Sequence, residues 1–310
     1  MVKRIITGIG LLGITLLFIY LTSFHEKAMD ALIVLFTIVS SIEMYFALKK
    51  PFTNQESKIY KVFCVYVDEN PKKYDISIIP IIIELVSMYV LISFFNYYGI
   101  IFSLLISFVT LFIIFIFKPE KRIEDFFANI FILIYPIVTN YLAIILLQSY
   151  GVIPVVLALA ISAVSDTSAY FIGSMLGKRK IFPKISPKKT YAGCIGGLFG
   201  GAVGGILVYL IFELAKFPSN TSFTFSELFN DNIGLTIGIY AVIGFVVAIF
   251  SEIGDLAASR IKREVGIKDY SKLLGSHGGF MDRIDSVQFT FICIYIIMII
   301  IDISKNGYQF

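Results

Sequence analysis

An all-α, polytopic membrane helical bundle is the fold class that the sequence predicts. Three observations carry this. The 310 residues are 57% hydrophobic and only 15% charged, where an ordinary soluble domain has roughly 25% charged residues. The mean hydropathy is +0.86. Several apolar runs are also long enough to cross about 30 Å of hydrocarbon as helices. A chain of this composition cannot shield its apolar side chains by folding on itself in water, which excludes a soluble domain with an oversized core.

Nine apolar segments are read, at about 5–24, 29–48, 76–96, 98–117, 126–149, 152–176, 193–215, 233–254 and 286–303. The third and fourth meet around Tyr97-Tyr98-Gly99, and the fifth and sixth meet at Gly151. Each of these pairs is expected to form a tight helical hairpin. The first segment follows Lys3 and Arg4 but has no small-x-small cleavage site, so a retained helix is expected rather than a signal peptide.

Lysine and arginine set the expected orientation. With the N-terminus inside, residues 1–4 and the segments 49–75, 118–125, 177–192 and 255–285 hold 23 of the 26 basic residues, and Lys27, Lys216 and Lys305 are left outside. The positive-inside rule then predicts N-terminus in and C-terminus out. The expected location is a multi-pass membrane protein, in the cell (plasma) membrane if the source is bacterial. A net charge of +4 suits a protein that meets anionic headgroups and a polyphosphate.

Two regions are expected: 1–125, membrane helices with a cytosolic insert near 49–75, and 126–310, a catalytic membrane region with cytosolic motif loops at 177–192 and 255–285. The insert reads equally as a solvated loop or as an interfacial helix carrying Phe63, Val65, Tyr66 and Val67. Cys64, Cys194 and Cys293 have no CxxC spacing, which points to small packing residues rather than a zinc ribbon or a disulfide framework. Glu43 and Glu84 lie within apolar spans without any motif around them, so they read as structural.

The richest chemistry lies between Ser259 and Asp285. Asp255, Asp282 and Asp285 are hard oxygen ligands at the expected cytosolic ends of two helices. Asp282 and Asp285 are three residues apart and would share a helix face. Such carboxylates suit Mg²⁺, which prefers carboxylates together with substrate phosphate oxygens. Lys262, Arg263, Lys268, His277 and Arg283 offer cationic donors for phosphates. Gly278 and Gly279 let backbone N–H groups come close to a ligand. A solvated loop obeying the positive-inside rule would explain the Lys and Arg residues, but not the Asp residues.

A second segment, Ser165 to Thr190, adds Asp166 within an apolar span, next to Ser165, Thr167 and Ser168. A carboxylate at that depth is costly and is a functional candidate by default. Satisfaction by neighbouring hydroxyls is the structural alternative. Ser186-Pro187 favours a turn that presents Lys189 and Thr190 to a phosphate.

The stretch from Ser259 to Asp285 resembles the signature of the phosphatidate cytidylyltransferase family: S-x-apolar-K-R, four residues, K-D-x-small-x-x-L-G-x-H-G-G-apolar-x-D-R-apolar-D. Every fixed position is met, from Ser259, Lys262, Arg263, Lys268 and Asp269 through His277, Gly278 and Gly279 to Asp282, Arg283 and Asp285. The earlier segment is similar to the same family's D-T-x-A-Y run and the S-P-x-K-T run after it, with one departure: Ala192 stands where the family usually has Glu. The two segments cover about the C-terminal half.

The resemblance implies transfer of CMP from CTP to phosphatidic acid, giving CDP-diacylglycerol and pyrophosphate, with Mg²⁺ and also K⁺. It implies Asp255, Asp282, Asp285, Lys262 and Arg283 as catalytic groups, the three Asp residues holding metal. Ser259, Arg263, Lys268, Asp269, His277, Gly278, Gly279, Asp166, Ser186, Lys189 and Thr190 would bind substrate. Expected partners are CTP, phosphatidic acid and membrane lipids, without nucleic acid, and a homodimer is left open. A CTP-dependent lipid kinase of the dolichol type and a non-enzymatic transporter are the rival readings.

Overall fold

The computed structural model describes residues 13–22, 25, 27–49, 62, 73–217, 223–229, 232–275 and 278–306. Most of the predicted first span, the insert with its candidate interfacial residues, Cys64 and His277 lie outside the described residues. A helical segment at 13–21 comes first. The helices that follow are α1 (Ala28–Leu48), α2 (Ile78–Phe95), α3 (Tyr98–Phe117), α4 (Ile123–Ile132), α5 (Thr139–Tyr150) and α6 (Val152–Leu176). After a short hairpin of β1 (Lys180–Phe182) and β2 (Ser186–Thr190) come α7 (Tyr191–Val208), α8 (Ile233–Glu264) and α9 (Met281–Asn306).

The protein is an all-α polytopic membrane bundle. Among the described residues, eight helical stretches are long and apolar enough to cross a bilayer, α4 and α5 counting as one. These two are joined by a π-helical turn, Leu133–Val138, which contains Pro136. Proline lacks the N–H that a regular turn needs, so the ladder is relaid at that point.

Two predicted boundaries move. The ninth span begins at Met281 instead of 286, and α8 continues to Glu264, ten residues past its predicted end. The predicted motif loop 255–285 is therefore helical at both ends. The cause is local. Residues 255–264 alternate Leu256, Ala258 and Ile261 with charged side chains at helical spacing, so the helix persists after hydropathy has fallen. At 32 residues, α8 is roughly 48 Å long.

The chain forms two compact units. One comprises residues 1–16, 30–145 and 260–284, and the other comprises 17–29, 146–259 and 285–310. In the first, α2 and α3 form the predicted hairpin, with Ser87 Oγ and Ser103 Oγ 2.6 Å apart. Asn140 donates to Ser40 Oγ at 3.1 Å, and Tyr141 donates to the Leu85 carbonyl at 3.0 Å. Sparse polar links of this kind are what ties membrane helices together. Phe108, Phe112 and Phe115 pack on the Phe126 ring.

In the second unit α7 is the axis. Its Gly196, Gly200 and Gly204 face α6, while Gly197, Gly201 and Gly205 face α8. A Cβ at Gly201 would lie 2.6 Å from the Gly244 carbonyl, and one at Gly205 would strike the Tyr240 carbonyl. Only glycine permits this backbone-to-backbone approach on two sides of one helix. α8 and α9 also meet closely, because a Cβ at Gly254 would lie 2.8 Å from the Asp285 carbonyl.

Candidate active site

In the second unit, the hairpin β1–β2 leads directly into α7. Lys180 pairs with Thr190 in its antiparallel register. Thr190 then caps α7, its Oγ1 accepting from the Gly193 N–H at 3.1 Å. Lys189, one residue earlier, is thereby held at the helix start. Its ammonium lies 2.6 Å from Glu252 Oε2 and 2.7 Å from Asp255 Oδ2, both on α8. Burial alone would lower the Lys189 pKa. The two carboxylates more than offset this, and the ammonium is held above the ordinary lysine value.

Asp166 on α6 accepts from Ser286 Oγ on α9 at 3.3 Å. Ser286 Oγ is also 2.8 Å from Ser162 Oγ, which accepts from Ser251. The side chain of Asp166 remains accessible although it lies within a span. Its surroundings are set by Asp255, Lys189 and Glu252. Three carboxyl groups thus share one lysine. Asp285 is buried and accepts from the Ser286 N–H at 2.9 Å. Ser186 is half-buried at the start of β2, and Ser259 is half-buried on α8.

The first unit holds a different centre. Lys262 is 2.6 Å from Asp282 Oδ1, with side chains 10% and 6% exposed. Asp282 Oδ2 accepts from the Tyr270 N–H at 2.9 Å and the Gly279 N–H at 2.8 Å. Both oxygens of Asp282 are therefore engaged by a cation and two backbone donors. The Lys262 ammonium also sits 5.3 Å from the Tyr270 ring centroid. Gly278 has φ +79°, and a Cβ there would press on Asp282 and Asp269. Arg263 donates to the Ile267 carbonyl at 3.2 Å, while Lys268 and Arg283 are exposed.

Glu43 on α1 had no motif to mark it in the sequence. Its carboxylate accepts from Ser271 Oγ at 2.6 Å, from the Phe280 N–H at 2.8 Å and from the Met281 N–H at 2.6 Å. It thus satisfies the donors at the N-terminus of α9 and fixes the loop that leads into Asp282. Glu252 was likewise not assigned a site role. In both cases the partners are far apart in sequence, and only their residue types were visible beforehand.

The structure thus groups Lys189, Asp166 and Asp255 with Glu252 in one unit, and Lys262, Asp282, Asp269, Gly278 and Gly279 in the other. Among the described residues, no group of three or more His, Cys, Asp or Glu is arranged to hold a metal ion.

The sequence profile of the Cytidylyltransferase family matches residues 2–301, and the chain belongs to that family. It is similar to phosphatidate cytidylyltransferases of Staphylococcus aureus (strain COL), at 34% identity over 152 residues, and of Staphylococcus haemolyticus (strain JCSC1435), at 32% over 152 residues. Each match covers 49% of this chain and 51% of the relative. The matched region thus spans about half the length of these curated relatives.

Proposed function

We propose that the protein transfers CMP from CTP to phosphatidic acid, releasing pyrophosphate and forming CDP-diacylglycerol. The observation that carries this reading is Lys189, half-buried and cationic between Glu252 and Asp255, with accessible Asp166 beside them. The family membership and the names of the staphylococcal relatives support it.

The acceptor phosphate is already an anion, so no strong general base is needed. The task is to align two anions that repel each other and to neutralise charge on the departing pyrophosphate. Lys189 presents a fixed positive charge to a phosphate. Thr190 holds that lysine at the start of α7. Ser186 and Ser259 are the further proposed phosphate contacts of the second unit, and the family resemblance adds Arg263, Lys268, His277 and Arg283 of the other as proposed phosphate-binding residues.

Mg²⁺ is proposed at the acid-rich centre, where the described carboxylates do not form a metal cage by themselves and substrate phosphate oxygens would have to complete the ligand set. There the carboxyl groups outnumber the lysine, and Asp255 is 31% exposed. Asp255 would hold the ion, with Asp285 close by where α8 crosses α9 at Gly254. Bound there, Mg²⁺ would neutralise polyphosphate charge. Asp282 fits less well as a direct ligand, since Lys262 and two backbone N–H groups already engage it. Its proposed role is to position Lys262 and the Gly278–Gly279 turn. K⁺ is proposed only from the family resemblance.

The site is proposed to open on the cytosolic face of the cell membrane, because 23 of 26 basic residues fall on one side of the nine predicted spans. Incubating the purified protein with labelled CTP, Mg²⁺ and phosphatidic acid tests the reading. A labelled CDP-lipid with release of pyrophosphate is expected. Release of CDP and a phosphorylated alcohol would instead identify a CTP-dependent lipid kinase, and no CTP consumption would remove the enzymatic reading.

A further inference from the structure

The segment 177–190, which joins α6 to α7, holds six Lys and Arg residues and no Asp or Glu. Two of the six are engaged within the chain: Lys189 by Glu252 and Asp255, and Lys180 by the Pro187 carbonyl, to which it donates. The other four, Lys178, Arg179, Lys184 and Lys188, are exposed, and among the described residues their side chains have no carboxylate partner.

These charges stand on a fixed frame. The strands pair Lys180 with Thr190 and Phe182 with Ser186. The Ile185 N–H donates to the Phe182 carbonyl at 3.2 Å and closes the turn, and the Tyr191 N–H donates to the Arg179 carbonyl at 3.1 Å and closes the base. A Cβ at Gly177 would strike Thr190, and one at Gly193 would lie 2.9 Å from the Ala169 carbonyl. The base of the hairpin is therefore pinned where α6 and α7 touch.

The same junction marks the edge of the bilayer. The last turn of α6 exposes Met175 at 80% and Leu176 at 68%, and Tyr191, the first residue of α7, is 52% exposed. Both helices belong to membrane-crossing stretches. Open apolar side chains on a terminal turn are at home in hydrocarbon, and tyrosine suits the boundary with water. Lys178, Arg179 and Lys188 lie within three residues of a helix end, so roughly 10 Å at most separates them from it. That is about one Debye length in 0.1 M salt, so their charge reaches the headgroup layer. Phe182 is exposed among them, and sinking it into that layer would remove apolar area from water.

We propose that the β1–β2 hairpin is a docking element for anionic phospholipids, independently of the proposed reaction and of which lipid reacts. Charge complementarity and position select this occupant. Four uncommitted cations face no acid of their own segment, and lipid headgroups are the nearest anions to a hairpin rooted at the bilayer edge. A zwitterionic headgroup would bring an ammonium for which the segment has no carboxylate. Docked in this way, the hairpin gathers anionic lipid beside Lys189 and Thr190 at its end.

The chain contains no Trp, so a single introduced Trp reports on one place. Phe182→Trp in the full chain reports on the hairpin, and Phe102→Trp on α3 is the reference. Each is reconstituted without CTP in equimolar phosphatidylglycerol and phosphatidylcholine, with one or the other lipid chain-brominated. At Phe182→Trp, the local ratio of phosphatidylglycerol to phosphatidylcholine read from quenching should exceed that at the reference by about fivefold, the preference carried by one basic residue at an anionic surface. Adding Lys178→Gln, Arg179→Gln, Lys184→Gln and Lys188→Gln together should return it to the reference value. Equal ratios at both positions, or an excess that survives the four substitutions, would overturn the proposal. Absence of quenching by either lipid at Phe182→Trp would place the hairpin in water and overturn it in favour of a soluble acidic partner. Tyr191→Trp, at the base of the hairpin, replaces the reporter if Phe182→Trp does not fold.

Discussion

Two lysine–carboxylate centres each draw on α8, and they are built differently. Lys262 and Asp282 are matched one to one, nearly buried, and closed by backbone donors from Tyr270 and Gly279. Lys189 faces two carboxylates, with a third group, Asp166, in its surroundings, and Asp255 stays open to solvent. The difference teaches how to separate holding from reacting. A pair held by a lysine and two backbone donors is suited to fixing a loop. A centre with surplus acid and open surface has its counter-charge still to come. Motif residues that look equivalent in sequence therefore divide into two kinds of work.

The hardest test of this contrast is Asp282→Asn. Removing one partner of a buried pair leaves Lys262 uncompensated, which costs about 3–5 kcal/mol. A large drop in thermal stability is expected. Should the variant keep its stability but lose its Mg²⁺ dependence, Asp282 would be a ligand and the contrast would fail.

Asp255→Asn should do the opposite. Lys189 keeps Glu252, so thermal unfolding should change little, while turnover should fall at least about 100-fold, as for loss of one preorganised electrostatic element. Near wild-type turnover with unchanged Mg²⁺ dependence would move the reacting centre elsewhere.

Ala192→Glu is a milder probe. It restores the carboxylate usual in the family, in the first turn of α7, where the helix dipole favours it. Activity equal to or above wild type is expected, because the lysine next door already tolerates two acids. A large loss in a folded protein would show that Glu252 fills the space the family leaves for that side chain.

Changing pH in the neutral range should leave the charge on Lys189 itself unaltered. Its pKa in the fold is raised above the unfolded value of about 10.4. The stability it contributes is then fully present below that value and is lost only as pH rises through the higher folded value. A pH–rate profile should show no limb from Lys189 in the neutral range. Lys305→Ala, which removes a cation 5.2 Å from the Phe223 ring centroid, serves as a further control and should cost at most about 1 kcal/mol.

Much of the fold was legible because hydropathy alone decides where a chain meets lipid. The spans near 29–48, 98–117 and 152–176 lie within a residue or so of α1, α3 and α6. The same signal misjudged α8, because a helix leaving the bilayer keeps its backbone bonds while its average hydropathy falls. The hairpin β1–β2 was also missed, being too short to show a strand pattern among lysines. Of the site, residue types and motif spacing were visible, but partners were not. Glu43 meets Ser271 across 228 positions of sequence, and Lys189 meets Glu252 across 63. Pairings of that kind arise only when helices are packed, and no local pattern announces them.

The glycine seams along α7 carry a mechanical implication. With carbonyls of two neighbours lodged against it, this helix has no side-chain cushion through which to slide or roll. Lys189 and Thr190 stand at the head of that wedged rod. Any adjustment to an arriving ligand must therefore come from the short hairpin before them or from the reach of the lysine itself. The rod behaves as an anvil, and whatever Lys189 binds has to come to it.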